Sequence, residues 1–312
     1  MARPSLAQAV YDAHQRGRII LMDGPMATEL RHSGLDLERD LSHRWNLNHP
    51  ESVKVVYEDY CNAGAEVLLT NTFSAHLGLL KGEEDWHDAV AAGVELAKQP
   101  EWDHLYVLGS VGSAVGSDEQ YAGAVEQVIE SLSECDGILL ETQTRLDRAR
   151  AICSQLSAIS RTGNLRELRS SAEASTLIVS FSYNRLPRQD RCWIVEAPNE
   201  EERSALEVAK WAHGQRDQLL ALGVNCGNNL RLSDTLRIAQ QYHAETDLPL
   251  LVRPGITPSI ECEFTPREFA EKVKDFADAG VTLLGGCCGT TPAHIAALRK
   301  EIDRLGLAWQ DE

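Results

Sequence analysis

Cys287 and Cys288 stand side by side in Leu283-Leu284-Gly285-Gly286-Cys287-Cys288-Gly289-Thr290-Thr291-Pro292. The apolar run Val281 to Leu284 has strand character, and Thr291-Pro292 opens a helix with Ile295, Leu298 and Ile302 on one face. The two thiols therefore fall on a turn at a strand's carboxyl end. Neighbouring strand residues face opposite ways, and adjacent cysteines form a disulfide only with strain, so the pair points to a bent backbone wrapping a soft metal. A third thiol, Cys226, ends another apolar run in Leu222-Gly223-Val224-Asn225-Cys226-Gly227. Three thiolates and one open position describe a catalytic zinc site better than a structural one, which usually closes with four protein ligands. Isolated buried cysteines are commonly inert, but three at the same kind of strand end argue against that here.

Two carboxylates share the placement. Glu141 ends the run from Gly137 and Asp23 ends the run from Ile19. An unpaired carboxylate is costly at the end of an apolar strand, so each calls for a cationic partner. Arg145 could pair with Glu141, and Asp23 could instead cap a turn before Gly24-Pro25. No histidine or lysine ends a strand, which leaves proton removal to the metal and speaks against a Schiff-base lyase.

The elements that must position these residues are eight short apolar runs: Ile19-Asp23, Glu66-Thr72, Tyr106-Val111, Gly137-Glu141, Leu177-Ser182, Leu219-Cys226, Leu250-Arg253 and Thr282-Cys287. Segments with helical spacing alternate with them. One follows His49-Pro50-Glu51 with Val53, Val56, Tyr57 and Tyr60 on one face and stops near Gly64; another opens on the capping box Thr265-Pro266-Arg267-Glu268 and buries Phe269, Val273 and Phe276. Near-continuous apolar strands imply a sheet covered on both faces, and eight alternations favour an α/β fold of the (β/α)8 barrel type, one domain over 1–312. In such a barrel Asp23, Thr72, Phe73, Glu141, Cys226, Cys287 and Cys288 collect at the carboxyl-terminal face, where barrel active sites lie. Residues 24–50 and 183–202 are long, polar, proline-bearing connections and candidate lids over it; 160–175 reads as a solvated insertion.

Composition bounds the partners. A formal charge of −17 on 312 residues argues against nucleic acid and anionic lipid. Eight cysteines at irregular spacing do not make a secreted disulfide scaffold, and a reducing cytoplasm would preserve thiolates for metal. Met1 to Arg18 lacks an apolar signal core, no later stretch approaches a membrane span, and no Gly-x-Gly-x-x-Gly or Walker loop suggests a nucleotide.

Gly286-Cys287-Cys288-Gly289-Thr290-Thr291-Pro292 and Val224-Asn225-Cys226-Gly227 together resemble the metal signature of the zinc-dependent homocysteine S-methyltransferases. The resemblance extends through Leu21-Met22-Asp23-Gly24, Leu69-Thr70-Asn71-Thr72-Phe73, Gly109-Ser110-Val111-Gly112 and Leu140-Glu141-Thr142, so it covers nearly the whole chain. It implies Zn2+ on Cys226, Cys287 and Cys288. It also implies homocysteine contacts at Asp23, Gly24, Thr72, Phe73, Glu141 and Asn225, with the acids holding the amino group. The implied partners are small molecules: homocysteine and a methyl donor such as S-methylmethionine, S-adenosylmethionine or betaine. Two alternatives stand beside this: a methyl-accepting module serving separate folate or cobalamin proteins, and a non-catalytic zinc- or thiol-sensing barrel.

The chain departs from the family pattern at three places. Relatives using small cationic donors commonly have Leu-Trp-Ser after the first strand, where this chain has Asp40-Leu41-Ser42, with Trp45 as a candidate cation-π face. Arg253-Pro254 is followed by Gly255-Ile256-Thr257 instead of Asn-Ala-Gly, which leaves the resting fourth metal ligand open. Pro25 replaces a common second glycine and removes a backbone N–H.

Overall fold

The apolar runs become strands because each is too short for a helix and rich in branched residues, and most are bounded by Gly or Pro. The computed structural model describes residues 3–113, 117–162, 176–186, 191–196, 201–256 and 263–310. Its strands are β1 Ile20–Leu21, β2 Val67–Leu69, β3 Tyr106–Val111, β4 Gly137–Gln143, β5 Leu177–Phe181, β6 Asn184–Leu186, β7 Arg191–Glu196, β8 Glu201–Arg203, β9 Ala221–Asn225, β10 Leu250–Arg253 and β11 Val281–Leu284. Eight of them form one parallel sheet in the order β1-β11-β10-β9-β5-β4-β3-β2. A parallel bridge between Met22 and Val67, with Asp23 N–H donating to the Val67 carbonyl at 3.0 Å, joins its two edges. The sheet is thus a (β/α)8 barrel, and each of its strands falls on one of the eight apolar runs, with β4 continuing past its run to Gln143 and β11 starting one residue before its run at Val281.

Every strand of the ring is covered on both faces. Inward residues such as Ile20, Met22, Leu108, Leu139, Ile178, Leu251 and Leu283 pack into a core closed from the amino-terminal side by the helix Leu6–Gln15, which buries Leu6, Ala7, Ala9, Val10 and Ala13 against it. Outward residues meet the surrounding helices. The helix Pro50–Asn62 buries Val53, Val56, Tyr57 and Tyr60 and ends before Gly64, which takes φ +91°. Its tyrosines reach the far end of the barrel: Tyr57 Oη donates to the Leu69 carbonyl at 3.0 Å, and Tyr60 Oη to the Pro25 carbonyl at 3.3 Å. The capping box at Thr265 forms, but the helix behind it breaks into Pro266–Ala270 and Val273–Asp278. Phe269, Val273 and Phe276 are buried, and Ile295, Leu298 and Ile302 lie on the buried face of Pro292–Arg304.

The two candidate lids differ from each other. Residues 24–50 wind through short helical turns, Met26–Leu30, Arg31–Ser33, Ser42–Arg44 and Trp45–Asn48. The sequence reads 183–202 as a long polar connection and candidate lid; its described part forms the antiparallel sheet β6-β7-β8, separate from the barrel sheet, with Ile194 of β7 buried. Most of the insertion expected at 160–175 lies outside the described residues. No described helix is long and apolar enough to cross a membrane.

Candidate active site

The sulfur side of the site is made by backbone. Cys226 follows β9 with φ +55° and Gly227 follows with φ +118°, so the chain turns sharply at the cysteine. A non-glycine residue in this region costs on the order of 1–3 kcal/mol and persists only where its surroundings hold it, commonly at functional sites. Here the Cys226 N–H donates to the Arg253 carbonyl at 3.0 Å, which fixes the turn against β10. After β11 the Cys287 N–H donates to the Pro254 carbonyl at 2.9 Å, and Thr290 Oγ1 donates to the Cys287 carbonyl at 2.8 Å. A Cβ on Gly286 would lie 2.1 Å from Thr290 Oγ1, so this turn requires glycine. The three Sγ atoms lie within 4.8 Å of one another.

Hydrogen bonds among the sulfurs divide their acidity unequally. Those from Cys226 and Cys287 hold Cys288 down to about 3. Bonding to Cys287 and Cys288 pushes the Cys226 thiol up. Cys287, lowered by Cys226 but raised by Cys288 and by burial, ends at about 12. Metal–sulfur bonds of ~2.3 Å can reach all three atoms, and a soft sulfur donor set suits zinc. All three cysteines line a cavity of about 190 Å³ at the carboxyl-terminal mouth of the barrel, which leaves the cluster open on that side.

The charged side of the site is made by side chains. Glu141 sits where the β4–β5 register shifts between Leu140 and Gln143, and Thr142 takes φ +58°. A bulge of this kind redirects a side chain. Its Oε1 accepts from Ser110 Oγ at 2.5 Å and its Oε2 pairs with Arg253 Nη1 at 3.2 Å. Asp23 accepts the Leu69 N–H on Oδ2 at 2.8 Å and pairs through Oδ1 with Arg253 Nη2 at 3.2 Å. Asp23 therefore binds across the barrel and does not cap its own turn. Burial pushes Asp23 up to about 7 and raises Glu141, in both cases against the attraction of Arg253.

Seven of the nine sequence candidates meet at this cavity: Asp23, Gly24, Phe73, Glu141, Cys226, Cys287 and Cys288. Gly24 is held to glycine by Tyr60, whose hydroxyl would lie 2.5 Å from an added Cβ. Thr72 and Asn225 do not line the cavity, although Asn225 Nδ2 donates to Glu141 Oε2 at 3.5 Å and lies 3.8 Å from Cys287 Sγ. Thr72 Oγ1 donates to the Ser110 carbonyl at 2.7 Å, while Asn225 accepts from Thr142 N–H at 2.9 Å and Ser180 Oγ at 2.6 Å, tying β4, β5 and β9 together. Arg145 is not the partner of Glu141; it pairs with Asp118 at 3.0 Å and with Asp147. Trp45 is packed against His49, ring centroids 4.1 Å apart, and borders a different cavity with Arg39 and Arg44, so it is a packing residue of its loop. Sequence reasoning missed Arg253, although a charge ending the apolar run Leu250 to Val252 is the same signal that singled out Asp23 and Glu141.

A family model for homocysteine S-methyltransferase matches residues 20–302. The chain belongs to the homocysteine S-methyltransferase family. It is 29% identical over 306 residues to the homocysteine S-methyltransferase of Escherichia coli strain K12, covering 90% of this chain and 94% of that one. It is also 26% identical to the methionine synthase of Mycobacterium tuberculosis, over 89% of this chain but 24% of that longer protein. Among solved structures, the metallated form of the homocysteine methyltransferase MmuM from Escherichia coli superposes with a TM-score of 0.68 at 26% identity, covering 94% of this chain and 99% of that one. As a family member this chain is an enzyme of the methyltransferase class, and its sulfur cluster is compatible with metal.

Proposed function

We propose that the protein is a zinc-dependent homocysteine S-methyltransferase that carries a methyl group from a small cationic donor to the sulfur of homocysteine, giving methionine, within one barrel domain of 1–312. The observation that carries this is a three-thiol cluster and a buried acid pair opening on one cavity. Cys226, Cys287 and Cys288 would hold the ion. When bound, zinc would supply the Lewis acidity that removes the acceptor thiol's proton near neutral pH, where a free thiol of pKa ~8.5 is mostly protonated. Asp23 and Glu141 would take the substrate ammonium and so aim its sulfur at the cysteines. Pro25, Met26, Ala27 and Phe73 form an apolar wall beside them. That wall excludes water from a displacement in which the new carbon–sulfur bond forms as the donor's bond breaks and its positive charge is lost. No protein base is required for that step.

The test is a donor screen on zinc-loaded protein with S-methylmethionine, S-adenosylmethionine, betaine and methylcobalamin, reading methionine. Turnover with one of the small cations is expected. The match to a 24% segment of a methionine synthase favours a second reading, a methyl-accepting module that works with separate folate or cobalamin proteins. Turnover with methylcobalamin alone would select it. Zinc that binds while homocysteine changes nothing at the metal, with no turnover from any donor, would select the sensor.

A further inference from the structure

Arg253 ends β10 between the two acids, with its side chain 3% exposed. Both terminal nitrogens are engaged: Nη1 with Glu141 Oε2, and Nη2 with Asp23 Oδ1 and the Gly24 carbonyl, each at 3.2 Å. The far oxygen of each acid accepts from a fixed donor, Ser110 Oγ for Glu141 and the Leu69 N–H for Asp23. Each carboxylate is therefore held at two points, and its plane is set before any substrate arrives. With both acids ionised, two carboxylates and one guanidinium carry a formal charge of −1 in a site almost closed to solvent, an excess that burial resists by raising both acids and that a bound cation would relieve.

We propose that Arg253 is a positioning and specificity residue that orients Asp23 and Glu141 as a seat for one monocation, so that the site selects acceptor thiols carrying a single ammonium group. This rests on the homocysteine reading above. An uncompensated charge in a buried site is expensive, and one ammonium brings the group to neutrality; a thiol without an amine does not. Without the guanidinium, two like charges would face each other with no tether, and the seat would lose both its geometry and its charge. Lysine cannot replace it fully, because a single ammonium does not bridge two carboxylates through a planar fork.

The test compares zinc-loaded wild type, Arg253→Met and Arg253→Lys. Homocysteine binding is followed by calorimetry, and KM and kcat are measured for homocysteine together with kcat/KM for 3-mercaptopropionate, which lacks the amine. In Arg253→Met the homocysteine Kd and KM are expected to rise about tenfold or more, the scale of a lost charge-assisted contact, with kcat changing far less. Arg253→Lys should recover part of the loss. For 3-mercaptopropionate the fall should be much smaller in both variants. Equal losses for the two thiols, or unchanged homocysteine binding in both variants, would overturn the proposal. Should Arg253→Met fail to fold by circular dichroism, Arg253→Lys against wild type carries the same comparison between thiols. A wild type that binds no homocysteine refutes the acceptor assignment and this proposal together. That outcome is distinct from a wild type that binds it and variants that bind it equally.

Discussion

The two halves of the cavity are built by opposite means. At the ends of β9 and β11 the cysteines are placed by backbone, through a positive-φ turn at Cys226 and N–H bonds to the carbonyls of Arg253, the last residue of β10, and of Pro254 after it. At the ends of β1, β4 and β10 the acids are placed by side chains, through a guanidinium that spans them. On the proposed zinc reading the sulfur half should tolerate no change of ligand type, because its turns converge three soft donors. The charged half is a network whose members compensate one another, so single changes there should shift affinity more than abolish function.

The sharpest way to break this comparison is at sulfur. Cys226→Ser, Cys287→Ser or Cys288→Ser should each abolish activity and most zinc binding, since a neutral hydroxyl is a far poorer zinc ligand than a thiolate. Metal analysis of each purified variant checks this, and full zinc occupancy in Cys226→Ser would sink the assignment. Chelation should leave the barrel folded by far-UV circular dichroism, because its two cores are closed by strands and helices without the ion. Loss of the helical signal on chelation would show that the sulfur half also holds the fold.

The sulfur half was legible in the sequence and the charged half only partly so. Each cysteine ends an apolar run, and strand ends of a parallel barrel converge by topology alone. The acids carried the same mark. Their partner could not be read, because Arg253 is 112 residues from Glu141 and 230 from Asp23, and only the strand order, with β10 lying between β1 and β4 along the curled sheet, brings them together. Arg145, four residues beyond Glu141, was nearer in sequence but lies beside Asp118 and Asp147 once its helix forms. Asn225 and Thr72 stand in the right motifs without lining the cavity: Asn225 reaches Glu141 Oε2 and Cys287 Sγ from inside the barrel, and Thr72, in the turn after β2, bonds the Ser110 carbonyl. The sheet β6-β7-β8 escaped for a different reason. β6 and β8 carry Arg185, Glu201, Glu202 and Arg203 and read as loop, while the apolar Cys192-Trp193-Ile194-Val195 of β7 is short and flanked by charges, so it does not stand out beside the barrel runs.

A smaller effect is expected from Glu141→Gln, which keeps size and some hydrogen bonding but removes charge. Homocysteine binding should weaken by ~1.5–3 kcal/mol, the value of a charge-assisted bond, while zinc content barely moves. A thiol without the amine should react poorly with the wild type and be nearly insensitive to the change, because the lost partner was never used. Equal losses for both thiols would remove Glu141 from the binding site and leave it as an internal partner of Arg253. That result would merge the two halves into one scaffold.

The smallest effect expected is on stability as pH changes, and it isolates the charged half. Burial lifts Asp23 to about 7 from an ordinary carboxylate value near 3.8, against the pull of Arg253, and it raises Glu141 as well. The protonated form of Asp23 is thus favoured in the folded state, so its contribution to stability is fully present below the unfolded pKa. It is lost as pH rises through the folded value, over the window from about 4 to 7. Asn at this position cannot ionise, so Asp23→Asn should flatten the fall of Tm with pH across that window by a few degrees. The Arg253–Glu141 pair remains in the variant to keep the guanidinium compensated. Parallel Tm profiles for the two proteins would show that Asp23 folds as a fully compensated carboxylate. The acid pair would then offer a substrate ammonium less unpaired charge than its burial implies.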